Sequence, residues 1–381
     1  MRVDVTGWVQ ADAVAWDEAS FDEVDPTTGA PLNAERFLIR RGRVRAEGTR
    51  DALFAAFEVD GNTIAGPDAR ILAAQVGWRP RPELEVLAGL FRTPFGFEVD
   101  MAEREKWFLE PPAFARALFP GNYDGGVMAR GAYGVARWSI AVTNGSPVGD
   151  AQWRGRDPSS SVDVVGRIGA VIDGPYRSRV EAGVSALTGR GLHAGDPPTK
   201  ESIEWVDENQ NGLVDNTTEL RVVPGTPGTP SETFAHDAIG GDVRVHWCLC
   251  VIGTGLAYAE VVLATNLDRG LLYADPVAAS RELRHLGFQV GLVQNVTEHA
   301  QVGVRYDRYA ADRDANERLG LELVGVEQTF SALSIMASAR RGDARLVVQY
   351  DHERNPFGRA DDGTPTTRDA DRVTIRAQAG F

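Results

Sequence analysis

Cysteine and long apolar runs are both scarce in this chain of 381 residues. The two cysteines, Cys248 and Cys250, are separated by one residue, which argues against a disulfide, and the lack of a second pair argues against a zinc site. No uninterrupted apolar stretch of about 18 residues occurs, so the sequence predicts no transmembrane helix. The most apolar segment, residues 248–264, contains Gly253, Gly255 and Glu260, which favours two strands joined by a tight turn over one helix.

Signatures of catalysis and of nucleic-acid binding are also missing. The six histidines are scattered, and neither G-x-S-x-G nor H-E-x-x-H occurs, so the sequence predicts no enzyme. A net charge of −14 argues against a nucleic-acid partner, because binding to the nucleic-acid backbone needs a basic surface. The chain opens with strand-like residues and no apolar signal region, so either the protein is cytoplasmic or a signal peptide has been removed.

What the chain does contain is a series of stretches in which apolar and polar residues alternate. Residues 2–16 alternate in this way, and so do the last residues up to Phe381. Short and long connections also alternate, between strands that number about sixteen. This pattern predicts an all-β fold, a single transmembrane antiparallel β-barrel over residues 1–381 with long loops at residues 92–124 and 189–236. Tandem soluble sandwiches are the alternative, but nothing in their topology makes turn length alternate.

The stretch FLIRRGRVRAEG, residues 37–48, is rich in arginine. Because side chains alternate across a strand, one face is predicted to carry Phe37, Ile39, Arg41, Arg43 and Arg45. An arginine on the lipid side of a barrel costs about 2–4 kcal/mol near the membrane midplane, so these arginines require water or a polar lumen. An exposed strand of a soluble β-protein is the alternative interpretation of this stretch taken alone.

Five stretches that follow one another along the chain are GWVQAD (residues 7–12), FLIRRGRVRAEG, LAGLFRTPFGFE (residues 87–98), WSIAVTNGS (residues 138–146) and the strand ending at Phe381. Together they resemble the porin O/P family, the phosphate- and polyphosphate-selective outer-membrane porins of Gram-negative bacteria. The resemblance implies a sixteen-stranded, homotrimeric barrel whose third long loop, residues 92–124, folds inward and narrows the pore. Phosphate-selective members rely on lysine clusters, whereas all but two of the 40 basic residues here are arginines.

The alternation also predicts which charges face the lumen. Arginines assigned to the inside are Arg41, Arg43, Arg45, Arg137, Arg167, Arg179, Arg244, Arg305, Arg345 and Arg376. The candidate anion-binding, pore-lining residues are Arg41, Arg43, Arg45, Arg137 and Arg376, with Lys106 and Arg116 of the inward loop. An unpaired guanidinium can hold phosphate or carboxylate in a bidentate manner. Pairing with carboxylates of the wall is the alternative role for these arginines.

A candidate metal site lies in the longest loop, in the sequence DENQNGLVD. Positions 1, 3, 5, 7 and 9 of a calcium loop correspond to Asp207, Asn209, Asn211, the carbonyl of Leu213, and Asp215. Gly212 stands at the position of the required turn, but Thr218 replaces the usual glutamate at position 12 and Glu219 follows one residue late. The motif predicts calcium binding that braces the loop, with a plain Asx-rich turn as the alternative.

These observations predict an outer-membrane porin for the passive diffusion of small hydrophilic solutes, with a preference for anions such as phosphate. Its expected partners are small anions, outer-membrane lipid and further copies of the chain in a homotrimer. No cofactor is required, and calcium is the one ligand that a motif predicts. The alternative function is a non-conducting barrel that serves as an anchor or a partner-binding surface through its acidic outer loops.

Overall fold

The computed structural model describes residues 1–17, 33–150, 152, 159–215, 217–249, 253–319, 322–325, 328–359 and 365–381. Within these ranges the chain is almost entirely β-structure. No helix there has the length and apolar character needed to cross a membrane. Of the two cysteines, Cys248 carries a free thiol, and Cys250 lies outside the described residues.

The strands in chain order are β1 (Arg2–Trp16), β2 (Arg36–Arg50), β3 (Leu53–Asn62), β4 (Asp68–Arg81), β5 (Leu84–Arg92), β6 (Tyr123–Tyr133), β7 (Ala136–Thr143), β8 (Asp163–Asp173), β9 (Arg179–His193), β10 (Ser202–Trp205), β11 (Leu220–Val223), β12 (Glu232–Leu249), β13 (Gly253–Thr265), β14 (Arg284–Asn295), β15 (Ala300–Asp312), β16 (Asn316–Leu319), β17 (Glu322–Gly325), β18 (Gln328–Arg341), β19 (Ala344–Arg359) and β20 (Pro365–Gly380). The helices are α1 (Ala113–Leu118), α2 (Pro276–Ala279) and a 3-10 turn (Pro175–Arg177). In the described chain, sixteen of these strands close into an antiparallel barrel, while β10 with β11 and β16 with β17 form separate two-stranded sheets. The predicted barrel is therefore confirmed.

The barrel closes where β20 pairs with β1. Beyond the end of β20, Phe381 N donates to Gly7 O over 2.9 Å, and Gly7 N donates to Phe381 O over 3.2 Å. A Cβ atom at Gly7 would lie 2.5 Å from a ring carbon of Phe381. Glycine at this position therefore leaves room for the terminal aromatic ring at the seam of the barrel.

Alternation of side chains separates an apolar outer face from a polar inner face. On β20 the outward Val373 and Ile375 are exposed, whereas the inward Thr374 and Arg376 are buried. The strand pairing places the arginines predicted to be inside on the same faces as buried polar residues of neighbouring strands. These arginines therefore lie on the inner side of the barrel wall.

One part of the arginine-strand prediction is wrong. The pairing of β1 with β2 shifts register between Gln10 and Ala11, so that Arg40 is an extra residue in β2. Such a bulge rotates the following side chains to the opposite face. Phe37 and Ile39 consequently point outward, while Arg40 turns inward beside Arg41 and bonds Asp12. The inner face carries four arginines instead of three.

The third long loop, residues 93–122, folds into the barrel as the resemblance implied, and is called the inward loop below. Four of its backbone N–H groups donate to polar side chains of the wall. The bonds run from Gly96 N to Ser185 Oγ (3.0 Å), Phe97 N to Glu260 Oε1 (3.1 Å), Leu109 N to Gln349 Oε1 (2.9 Å) and Ala113 N to Asp307 Oδ1 (3.0 Å). These partners lie on β9, β13, β19 and β15, so the loop reaches widely separated parts of the wall.

A second loop, residues 266–283, also turns inward, which the sequence did not indicate. Arg269 N and Gly270 N both donate to Ala117 O at the end of α1, at 2.9 and 3.0 Å. An apolar cluster inside the barrel joins the two loops to the wall; it includes Phe95, Phe114, Leu118 and Phe119 of the inward loop, Leu267 of the second loop, and Tyr309 and Phe330 of the wall. The two loops and the wall therefore fill much of the lumen where they meet.

The long connection predicted over residues 189–236 is shorter than expected. β9 continues to His193 and β12 begins at Glu232, and β10 and β11 lie within the remaining segment. Residues 194–231 are called the outer arm below. The predicted long connection between two barrel strands is present, but within it Thr199 N, bonded to Thr226 O, and Thr229 N, bonded to Asp196 O, keep two branches paired.

Candidate pore and its constriction

Two cavities remain within the barrel around the inward loop. The larger, of about 1,100 Å³, lies at the end with the short turns, where Gly253, Thr297 and Asp343 contribute to its lining. The smaller cavity, of about 350 Å³, lies against β2 and is lined in part by Arg43 and Arg45. Together they form the candidate pore among the described residues.

The four inward arginines of β2 each bond a carboxylate. The pairs are Arg40 Nε with Asp12 Oδ2 (3.0 Å), Arg41 Nη2 with Glu103 Oε2 (3.1 Å), Arg43 Nε with Asp60 Oδ1 (3.1 Å), and Arg45 Nη2 with Glu47 Oε2 (2.8 Å). Arg43 also lies 5.1 Å above the ring of Trp8, a cation–π contact. These four arginines of β2, called the arginine ladder below, are therefore joined in ion pairs. The pairing reduces the electric field that any one guanidinium presents to a solute.

Arg376 fixes the inward loop. Its Nε and Nη2 atoms contact Asp12 and Glu110 at 2.7 and 2.9 Å, and its Nη1 donates to Leu109 O over 2.8 Å. The side chain is nearly enclosed. With its donors engaged by the wall and the loop, Arg376 acts on the pore by holding the loop in place.

Lys106 lies near the middle of the inward loop, where its side chain is buried between two carboxylates. Its Nζ contacts Glu98 Oε1 at 2.9 Å and Glu103 Oε1 at 3.1 Å. Burial raises the pKa of Glu103, but Lys106 and Arg41 outweigh burial and hold that pKa at about 2. Burial lowers the pKa of Lys106, and Glu103 and Glu98 more than reverse this effect. Glu103 and Lys106 are therefore both charged at neutral pH, and Lys106 lines neither cavity.

The two other predicted pore residues lie apart from this cluster. Arg116 is on α1, is exposed, makes no side-chain hydrogen bond or ion pair within the described ranges, and lines neither cavity. Arg137 follows the turn between β6 and β7, where its Nη1 donates to Gly134 O and Ala136 O at 2.8 and 2.9 Å. The structure does not bring these two arginines to the constriction, and their roles in the pore stay predictions.

Arg104 and Glu105 were not among the pore-lining residues predicted from the sequence. Both side chains are exposed, and within the part of the chain that the structure describes neither has a hydrogen-bond or ion-pair partner. Arg104, Glu105 and Trp8 line both cavities, so the two spaces meet between the inward loop and β1. The charged run REK, residues 104–106, in a loop predicted to fold inward could have indicated these residues. The direction of each side chain, however, depends on the bonds that hold the loop against the wall.

The predicted calcium ligands lie at the tip of the outer arm. Asp207 accepts hydrogen bonds from Asn211 N (3.1 Å) and Gly212 N (2.8 Å), and the Asn211 side chain accepts one from Leu213 N (2.7 Å). Glu219 is buried and accepts a bond from Asp215 N over 3.1 Å. Among the described residues, no three His, Cys, Asp or Glu side chains are grouped closely enough to hold a metal. Calcium binding stays a prediction from the motif.

Calcium should slow proteolysis of the outer arm if the motif binds it. The side chains of Asp207, Asn209, Asn211 and Asp215, with the Leu213 carbonyl, would then close around one ion and restrain the tip. Limited proteolysis of the detergent-solubilised protein with calcium and with a chelator measures this, and Asp207→Asn should remove most of the difference. Equal cleavage rates under both conditions would leave the segment as an Asx-rich turn.

The chain resembles known proteins in its structure and not in its sequence. No protein-family model and no curated protein sequence matches it. The outer-membrane channel DcaP of Acinetobacter baumannii superposes with a TM-score of 0.61 at 12% identity, covering 100% of this chain and 97% of that one. OmpT of Vibrio cholerae, in its trimer form, gives 0.57 at 11% identity, covering 100% and 99%. An anion-selective porin from Comamonas acidovorans gives 0.56 at 10% identity, covering 100% and 99%.

These likenesses concern the fold, because the sequence identities are low. The chain has the architecture of outer-membrane porins, a closed barrel of sixteen antiparallel strands among the described residues. The narrower resemblance to the porin O/P family stays a prediction.

Proposed function

We propose that this protein is a porin of the bacterial outer membrane that lets small hydrophilic solutes diffuse through its lumen. The observation that carries the proposal is the pair of cavities meeting at Trp8, Arg104 and Glu105 inside a closed barrel. The apolar outer face suits lipid, and the polar inner face suits water. The porins and channels of similar fold support this function, and none of the motifs in the sequence calls for catalysis.

The preference for anions is proposed to be modest. Charged side chains that line the smaller cavity are Arg43, Arg45, Arg92, Arg104 and Arg130 on the basic side, and Glu58, Asp100, Glu103 and Glu105 on the acidic side. Positive charge exceeds negative charge by one, and several of these groups are paired. A small excess of this kind favours anions without excluding cations. Phosphate as the natural solute is supported only by the resemblance to porin O/P.

Reconstitution into planar bilayers tests the proposal. The purified protein should produce discrete conductance steps that scale with salt concentration. In a salt gradient, the sign of the zero-current potential should show that anions permeate more readily than cations. Absence of conductance from a protein shown to be inserted would contradict the proposal and favour the second candidate, a non-conducting anchor. That candidate is supported by the apolar packing of two loops inside the lumen.

We also propose that three copies assemble through the face formed by β20, β1 and β2. Outward positions there are rich in small residues, namely Ala11, Ala13, Gly42, Ala46, Ala377 and Ala379, which would allow neighbouring barrels to approach closely. The trimer form of Vibrio cholerae OmpT supports this assembly. Native mass spectrometry of the detergent-solubilised protein should give three chains per particle, and a single chain would contradict it.

A further inference from the structure

The outer arm continues the pairing of β9 with β12 beyond the barrel. His193 pairs with Glu232 at the end of the barrel section. The same register then connects Asp196 with Thr229, Thr199 with Thr226, and Ser202 with Val223. At roughly 3.3 Å per residue, the branch from His193 to Trp205 spans about 40 Å. The arm is therefore a paired ribbon that carries its tip well away from the strands of the barrel.

One face of the tip is apolar and uncovered. Ile203 pairs with Val222 and Trp205 pairs with Leu220, so these four side chains share a face. Their exposed fractions are 66% for Ile203, 56% for Val222, 45% for Trp205 and 38% for Leu220. Besides one another, β10 and β11 have no extensive packing partner among the described helices and strands. An uncovered cluster of this kind marks an interaction surface.

The charges around this apolar face indicate what could cover it. Within residues 200–223, leaving out the buried Glu219, the acids are Glu201, Glu204, Asp207, Glu208 and Asp215, and the bases are Lys200 and Arg221. Two copies of the tip brought face to face would bring like charges together, which disfavours self-association. A partner with lysine and arginine around an apolar surface would satisfy both the charge and the exposed side chains.

We propose that the tip of the outer arm is a docking surface for a basic protein partner that presents an apolar strand or helix face. Trp205 and Ile203 are its apolar anchors, since large side chains at the centre of an interface carry most of the binding energy. The surrounding carboxylates orient the partner and speed its approach. This interaction does not require that the barrel conduct.

A designed peptide serves as the probe for this surface. A fluorescent strand-forming peptide of alternating leucine and lysine is titrated with the full-length protein in lipid nanodiscs, and binding is followed by anisotropy. Trp205→Ser is expected to weaken binding at least tenfold, and Ile203→Ser to weaken it several-fold. Tyr176→Ser is the matched control, because Tyr176 is an exposed aromatic residue in a short turn at the opposite end of the barrel, and it should bind like the wild type.

The outcomes separate the proposal from its competitors. A peptide of alternating leucine and glutamate should bind at least tenfold more weakly than the leucine–lysine peptide. Equal binding of the two peptides, or wild-type affinity of both Trp205→Ser and Ile203→Ser, would overturn the proposal. Sedimentation of the nanodisc particles is the second measurement: self-association that Trp205→Ser abolishes would identify a second copy as the occupant and would also overturn it.

Discussion

Replacing Arg104 with glutamine should move the zero-current potential in a salt gradient toward cation preference, and replacing Glu105 with glutamine should move it toward anion preference. Both side chains line the two cavities where they meet, and neither has an ion-pair partner among the described residues. A unit charge about 4 Å from a passing ion is worth about 1 kcal/mol in water. Allowing for screening by salt, each substitution should change the ratio of anion to cation permeability by about two- to fivefold.

Arg116→Gln is the matched control for this pair of variants. Arg116 also belongs to the inward loop, is exposed and lacks an ion pair within the described ranges, but it lines neither cavity. It should therefore retain wild-type selectivity. If Arg104→Gln and Arg116→Gln give equal shifts, the selectivity is set by the overall charge of the loop and the meeting point of the cavities is not the constriction.

The barrel and the direction of its charged side chains were predictable from the sequence. A strand that meets lipid on one side must present apolar residues at alternate positions, so the face opposite Val373 and Ile375 was identifiable as the inner one. The same reasoning placed Arg376 inside, where the structure has it. The prediction succeeded because burial in lipid imposes the pattern on each strand separately.

The features that the sequence did not reveal depend on contacts between distant residues. The bulge at Arg40 leaves no mark in composition, because it depends on the pairing of β2 with β1. The carboxylate partner of Arg41, Glu103, lies in the inward loop, and its position follows from the fold of that loop, where Lys106 and Asn122 bond it. Arg104 reaches the cavities for the same reason: its direction is set by the folded loop and by no local pattern.

The triple variant Arg41→Gln, Arg43→Gln, Arg45→Gln should show the largest change in selectivity, a shift to clear cation preference. Its cause would be the carboxylates that lose their arginine partners, namely Asp60, Glu58 and Glu47, more than the loss of a path for anions; Glu103 would keep Lys106. Breaking a buried ion pair by removing one partner costs about 3–5 kcal/mol. Since Arg43 is 6% exposed, the variant should also unfold at lower temperature than the wild type, as measured by circular dichroism in detergent.

A comparison of Arg43→Gln with the double variant Arg43→Gln, Asp60→Asn separates the two roles of the ladder. The pair joins Arg43 Nε to Asp60 Oδ1 at 3.1 Å, and both side chains are buried. If the ladder consists of ion pairs, the single variant exposes a carboxylate charge and shifts the zero-current potential toward cations, whereas the double variant, which removes both charges, stays near the wild type. If the guanidinium itself guides anions, the double variant should lose anion preference as fully as the single one, and the ladder would regain the role that the sequence predicted for it.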